Sequence, residues 1–121
     1  MDFIILMSEI KERSGNMSEK RYRVCISVPL GRRNGTMIIR ESDGNVDGCL
    51  EVMGRKNAFF GCLLDDGQLT LSGAIQTLIS NVKYTATGTV SGRHLLLNIK
   101  TASGAYYPVS GEEYSIDDEI L

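Results

Sequence analysis

The stretch FFGCLLDDGQLTLSG, residues 59–73, decides the fold. Phe59, Gly61 and Leu63 recur every second residue before Asp65-Asp66-Gly67, and Leu69, Leu71 and Gly73 do so after it. A period of two is the mark of a half-buried strand, and an Asp/Gly cluster between two such runs marks a hairpin. Loop length then fixes which residues face each other. With Asp65-Asp66-Gly67 as a three-residue loop and Gly67 left-handed, Leu63 faces Leu69 and Gly61 faces Leu71. A two-residue Asp66-Gly67 turn would set Leu63 against Thr70 and break the apolar face, so the three-residue reading is adopted.

The same pattern extends in both directions. Tyr22, Val24, Ile26 and Val28 alternate with Arg23, Cys25 and Ser27, and further runs follow at 36–40, 46–53, 58–64, 68–75, 82–90, 94–101 and 105–111. Turn chemistry separates most of them, at Leu30-Gly31, Asn34-Gly35, Asp43-Gly44, Asp66-Gly67, Ser91-Gly92 and Ser103-Gly104. A two-residue Asp43-Gly44 turn pairs Ile39 with Gly48 and Met37 with Leu50, and a three-residue Ala102-Ser103-Gly104 loop sets Thr101 opposite Ala105. Residues 29–34 read as a six-residue loop. No helix of useful length interrupts the run, so the spacing predicts an all-β, eight-stranded, antiparallel up-and-down meander. Its first and last strands can pair and remove both open edges, giving a small closed or nearly closed β-barrel. A two-sheet sandwich with its corner at Thr77–Asn81 is the alternative.

Residues 21–111 form the predicted barrel domain. Residues 1–20 are an extension in which Phe3, Leu6, Met7 and Ile10 follow helical spacing, so either a short N-terminal amphipathic helix is expected or translation starts at Met17 (or Met7). Residues 112–121 read as an acidic tail.

Five glycines, Gly48, Gly61, Gly73, Gly88 and Gly111, keep the parity of the apolar residues within their strands. Each costs about 0.5–1 kcal/mol in a strand interior. Two offsets present themselves: the sharp curvature needed to close a small barrel, and room left inside it.

The chain has 121 residues and a formal net charge of −2, with Arg21, Arg23, Arg32, Arg33 and Arg40 in the first third and five acids in the last ten residues. That balance argues against a nucleic-acid binder that works by bulk positive charge. The three cysteines have no CxxC spacing and no paired histidine, which argues against a metal site and for reduced thiols in a cytoplasmic protein. Phe3–Met7 is too short an apolar run to span a bilayer, so no membrane partner is expected. His94 is the single histidine, and no nucleophile–histidine–acid set can be assembled around it. No phosphate loop, dinucleotide fingerprint or cofactor motif occurs, and the reading leans away from an enzyme.

Two groups of residues remain as candidate sites. Tyr22, Phe59, Tyr84, Leu97 and Tyr107 face inward and would line a ligand cavity, with Arg32 and Arg33 at one rim. On the outer face, the predicted pairings align Cys25, Ile38, Cys49 and Cys62 across four adjacent strands, a soft row suited to contact with a second copy of the chain.

From Arg21 to Tyr114 the chain resembles a poorly characterised type of short bacterial all-β protein. The resemblance is carried by Pro29-Leu30-Gly31, Asn34-Gly35-Thr36, Gly48-Cys49-Leu50, Phe60-Gly61, Gly67-Gln68-Leu69 through Gly73, Tyr84 through Gly88, and Lys100-Thr101 through Gly104. It implies no activity. In layout alone the chain is similar to calycin-type barrels such as lipocalins and streptavidin-like proteins, although it has no tryptophan. The function expected is that of a non-enzymatic module binding a small apolar or amphipathic molecule. A homo-oligomeric assembly protein with a filled barrel is the second reading, and a small isomerase or cyclase a distant third.

Overall fold

Alternating side chains put one apolar face on each of eight strands, and burying eight such faces together requires the sheet to curl. The computed structural model describes residues 18–29, 31–76 and 80–115, and the N-terminal helix expected over 3–13 lies outside them. Its strands are β1 (Ser18–Val28), β2 (Gly31–Ser42), β3 (Asn45–Val52), β4 (Arg55–Leu63), β5 (Gln68–Gln76), β6 (Asn81–Ser91), β7 (His94–Thr101) and β8 (Tyr106–Tyr114). Each is antiparallel to the next, and β8 pairs back onto β1, with Val24 facing Gly111 and Ile26 facing Val109. The sheet is therefore a closed barrel, and the sandwich alternative is excluded.

The hairpins that set the parity form as read. Gly67 is left-handed (φ +90°), Leu64 N–H donates to Gln68 C=O at 2.9 Å, and Leu63 faces Leu69. Ile39 faces Gly48, and Thr101 N–H donates to Ala105 C=O at 2.9 Å.

Two hairpins are tighter than expected. β1 runs to Val28, which faces Gly31 directly, so residues 31–34 of the expected 29–34 loop are corrected to strand and Asn34-Gly35 is not a turn. Gly31, at φ +130°, lets the chain reverse there. Between β3 and β4 the turn is Met53-Gly54, both residues left-handed (φ 56° and 74°), the backbone that a two-residue hairpin needs. Methionine is not a turn residue by propensity, so the sequence hid this reversal. At the C-terminal end, β8 carries Glu112 and Glu113 to Tyr114, three residues into the segment read as an acidic tail.

Inside, Tyr22, Met37, Leu50, Leu69, Leu71, Leu95, Ile99 and Val109 are the largest fully buried side chains. The in-strand glycines lie on this inner side of the wall, and the structure decides what they do. A methyl group on Gly61 would overlap the Thr70 carbonyl oxygen, one on Gly88 that of Leu96 and one on Gly48 that of Ile38, each across the adjacent strand. These three positions need close backbone approach, which is how the wall curves. Along one inward row, Ile39, Gly48, Phe59, Gly73, Tyr84 and Thr101, aromatic rings alternate with glycines. A methyl on Gly48 would sit 2.7 Å from Phe59 Cζ, and one on Gly73 2.9 Å from Tyr84 Oη. The rings occupy the space that the glycines leave.

The candidate cavity at the barrel mouth

An eight-stranded barrel is just wide enough to fill with side chains or to hold one small ligand. This one does the first over most of its length and leaves space at one end. The filled part ends where Asn57 and Thr101 sit, the two buried polar residues among those described. β4 and β5 pair only from Phe59/Gly73 to Leu63/Leu69, so the ladder stops short of the strand ends at Arg55 and Gln76. Asn57 closes that gap with its side chain. Its Oδ1 accepts from Gln76 N–H at 2.9 Å, while Nδ2 donates to the carbonyls of Leu50 at 3.2 Å and Arg55 at 3.3 Å.

Above it lies a cavity of about 300 Å³, walled by Ile26, Val28, Val52, Ile75, Val82 and Ile99 and by the rings of Tyr84 and Tyr107. Arg33 is the one charged residue among its described lining. It faces Ile26 across the β1–β2 ladder, which puts it on the inward face at the rim. Among the described residues no carboxylate pairs with its guanidinium, which donates to the Arg32 carbonyl at 3.2 Å. Thr101 Oγ1, also in the lining, lies 2.9 Å from Ser103 Oγ and accepts from Ala105 N–H at 3.1 Å.

Tyr84 is different. Its side chain is buried and its hydroxyl has no hydrogen-bond partner. Gly73, beneath that hydroxyl, is one inward step deeper than the cavity residue Ile75 and does not line the cavity, so the orphan oxygen is packed below the cavity floor. A buried, unsatisfied hydroxyl costs about 1–3 kcal/mol. Burial pushes the Tyr84 phenol up to about 12, with Cys49 adding a smaller push in the same direction. Tyr22 is raised as well, by burial first and by Glu113 second.

A linkage prediction follows. Both phenols have folded-state values above the ordinary 10, so their contribution is complete below pH 10 and is lost as pH climbs through the folded values. Stability falls between about pH 10 and 12, by roughly 2–3 kcal/mol for Tyr84 at about 1.4 kcal/mol per unit. Tyr84→Phe deletes the unpaired hydroxyl and raises the stability of the ligand-free protein at pH 7 by about 1–2 kcal/mol. It also removes most of the alkaline loss. Urea unfolding of both proteins at pH 8 and 11.5 measures this; a destabilised Tyr84→Phe would mean that the hydroxyl has a partner after all.

Of the residues expected to form the cavity, Tyr84, Tyr107 and Arg33 come together in it. Tyr22, Phe59 and Leu97 are buried in the filled part of the core instead, and Arg32 is exposed at the rim on the outward parity, facing Ser27. The aliphatic wall and Asn57 were missed. Asn57 carried a signal, a polar residue on the parity of Phe59 and Gly61, but the expected strand began one residue after it.

The outer row is corrected. Ile38 faces Cys49, but Cys25 faces Asn34, Cys49 faces Ala58 and Cys62 faces Asn45. Both tight hairpins shift the register by four residues. An even slip keeps every inward side chain inward, so the row breaks while the core survives. The cysteines are free thiols, Cys62 exposed and the other two half-buried. Among the described residues no cluster could hold a metal, and no helix is long and apolar enough to cross a membrane.

In comparison with known proteins, the chain matches no family model, and neither a curated protein nor a solved structure is significantly similar to it.

Proposed function

We propose that the protein is a non-enzymatic binding module that holds one small apolar or amphipathic molecule in the mouth of its barrel, as the calycin-type layout does. The observation carrying this reading is the apolar cavity of about 300 Å³ at the open end of the barrel. Ligand sites are concave, mostly apolar and fixed by few polar groups, and 300 Å³ is at the small end of their range.

Protein purified from cells and measured by native mass spectrometry should carry an added mass of small-molecule size that is lost on denaturation. Ile75→Phe, which puts a ring into the cavity, should remove the adduct and leave the fold intact. A bare polypeptide mass, together with no binding of any small probe, would refute the reading.

A further inference from the structure

Resting on that cavity reading, we infer that the ligand is a compact carboxylate whose anionic end sits at Arg33. Two observations carry this. The first is the distribution of charge along the barrel axis. Near the mouth lie Arg32, Arg33, Arg55, Lys56, Lys83 and Lys100 against the single acid Glu51. The opposite half holds Glu19, Glu41, Asp43, Asp47, Asp65, Asp66, Glu112 and Glu113 against Lys20, Arg21, Arg23, Arg40 and Arg93. Ring and base thus carry net charges of +5 (6 − 1) and −3 (5 − 8) over the described residues. A chain that is nearly neutral overall presents a cationic entrance, which draws anions and repels cations.

The second observation is that one guanidinium, without a described carboxylate partner, is the only charge in the lining. An arginine fork matches a carboxylate with two parallel hydrogen bonds, and one such charge balances one anionic group. Volume sets the size: 300 Å³ is about ten times the ~30 Å³ that a water occupies in the liquid, so roughly ten non-hydrogen atoms fit.

4-Hydroxybenzoate has this size and one carboxylate. Backbone amide NMR titrations of protein stripped of any retained molecule compare it with benzoate, 4-hydroxybenzyl alcohol and 4-hydroxybenzylamine. The carboxylate should bind about tenfold tighter than the alcohol, the increment of one charge-assisted pair, with shifts at Ile75, Val82 and Ile99. Arg33→Gln should erase that preference without changing the alcohol. Arg32→Gln makes the same charge change on the outward parity and should alter the preference less than about threefold.

Equal or tighter binding of the alcohol or the amine overturns the inference, as does an Arg33→Gln protein that keeps the preference. If none of the probes binds but native mass spectrometry shows a neutral or cationic adduct, the ligand class falls and the cavity reading stands. If there is neither probe binding nor adduct, both fall.

Discussion

Valine at position 61 or 88 abolishes the folded barrel. The added side chain begins where the Thr70 or Leu96 carbonyl oxygen already is, and that oxygen belongs to the neighbouring strand, not to a side chain that can turn aside. Relief requires the two strands to separate, which breaks the ladder on either side of the pairs Gly61–Leu71 and Gly88–Leu97. Ordinary overpacking costs about 1–3 kcal/mol. Here the loss should exceed about 4 kcal/mol, close to the whole stability of a small domain. Circular dichroism should show an unfolded or insoluble protein. Gly111→Ala is the contrast, because its methyl would meet Val24 Cγ1 at 3.0 Å and Leu95 Cδ2 at 3.3 Å, side-chain atoms that can shift. That variant should fold and lose no more than about 2 kcal/mol. A Gly61→Val protein with a native melting temperature would show that the glycine is there for some reason other than curvature.

Asn57→Leu should cost about 2–4 kcal/mol although it fills the same volume with an apolar group. The carboxamide stands in for ladder bonds that β4 and β5 do not make beyond Phe59 and Gly73. Leucine would leave the Gln76 N–H without the acceptor now at 2.9 Å and the Leu50 carbonyl without its donor at 3.2 Å. The bond to Leu50 is buried and that from Gln76 part-buried, so stranding the first group costs about 1–3 kcal/mol and the second less. Hydrogen exchange gives a sharper test than stability alone, because protection at the Gln76 amide should disappear while that of Leu71 is kept. A change below about 0.5 kcal/mol, the range of inconsequential surface substitutions, would rule out the bridging role.

What could be read from the residues, and what could not, follows from the two-residue period of a strand. Leu63, Leu69 and Leu71 state which way they face, and the Asp-Asp-Gly loop between them admits one register that keeps the face apolar. Parity therefore fixed the meander and the choice of core residues. It is blind to a slip of four. Met53-Gly54 gave no conventional turn signal and Asn34-Gly35 gave a misleading one, so lateral neighbours such as Cys25 and Ile38 were wrongly joined. The candidate site was legible in part for a related reason. Parity places Phe59 and Tyr84 on the same inner face, but height along the axis depends on how far strands are staggered around the barrel. That stagger seals Phe59 into the core and leaves Tyr84 at the cavity. The charge division between the two ends was equally invisible, since it emerges only when alternate turns are sorted by the end they occupy.

The seam between β1 and β8 has a consequence for how the molecule comes into being. Residues 21–26 meet residues 109–114, so the first strand made waits for the last before its outer side is covered. Until then a growing chain offers a naked row of amides and carbonyls to any passing strand, its own or a sibling's. Contacts this remote in sequence also form late and slow the approach to the native state. Synthesis in the cell thus includes an interval in which sticking to a neighbour competes with shutting the ring.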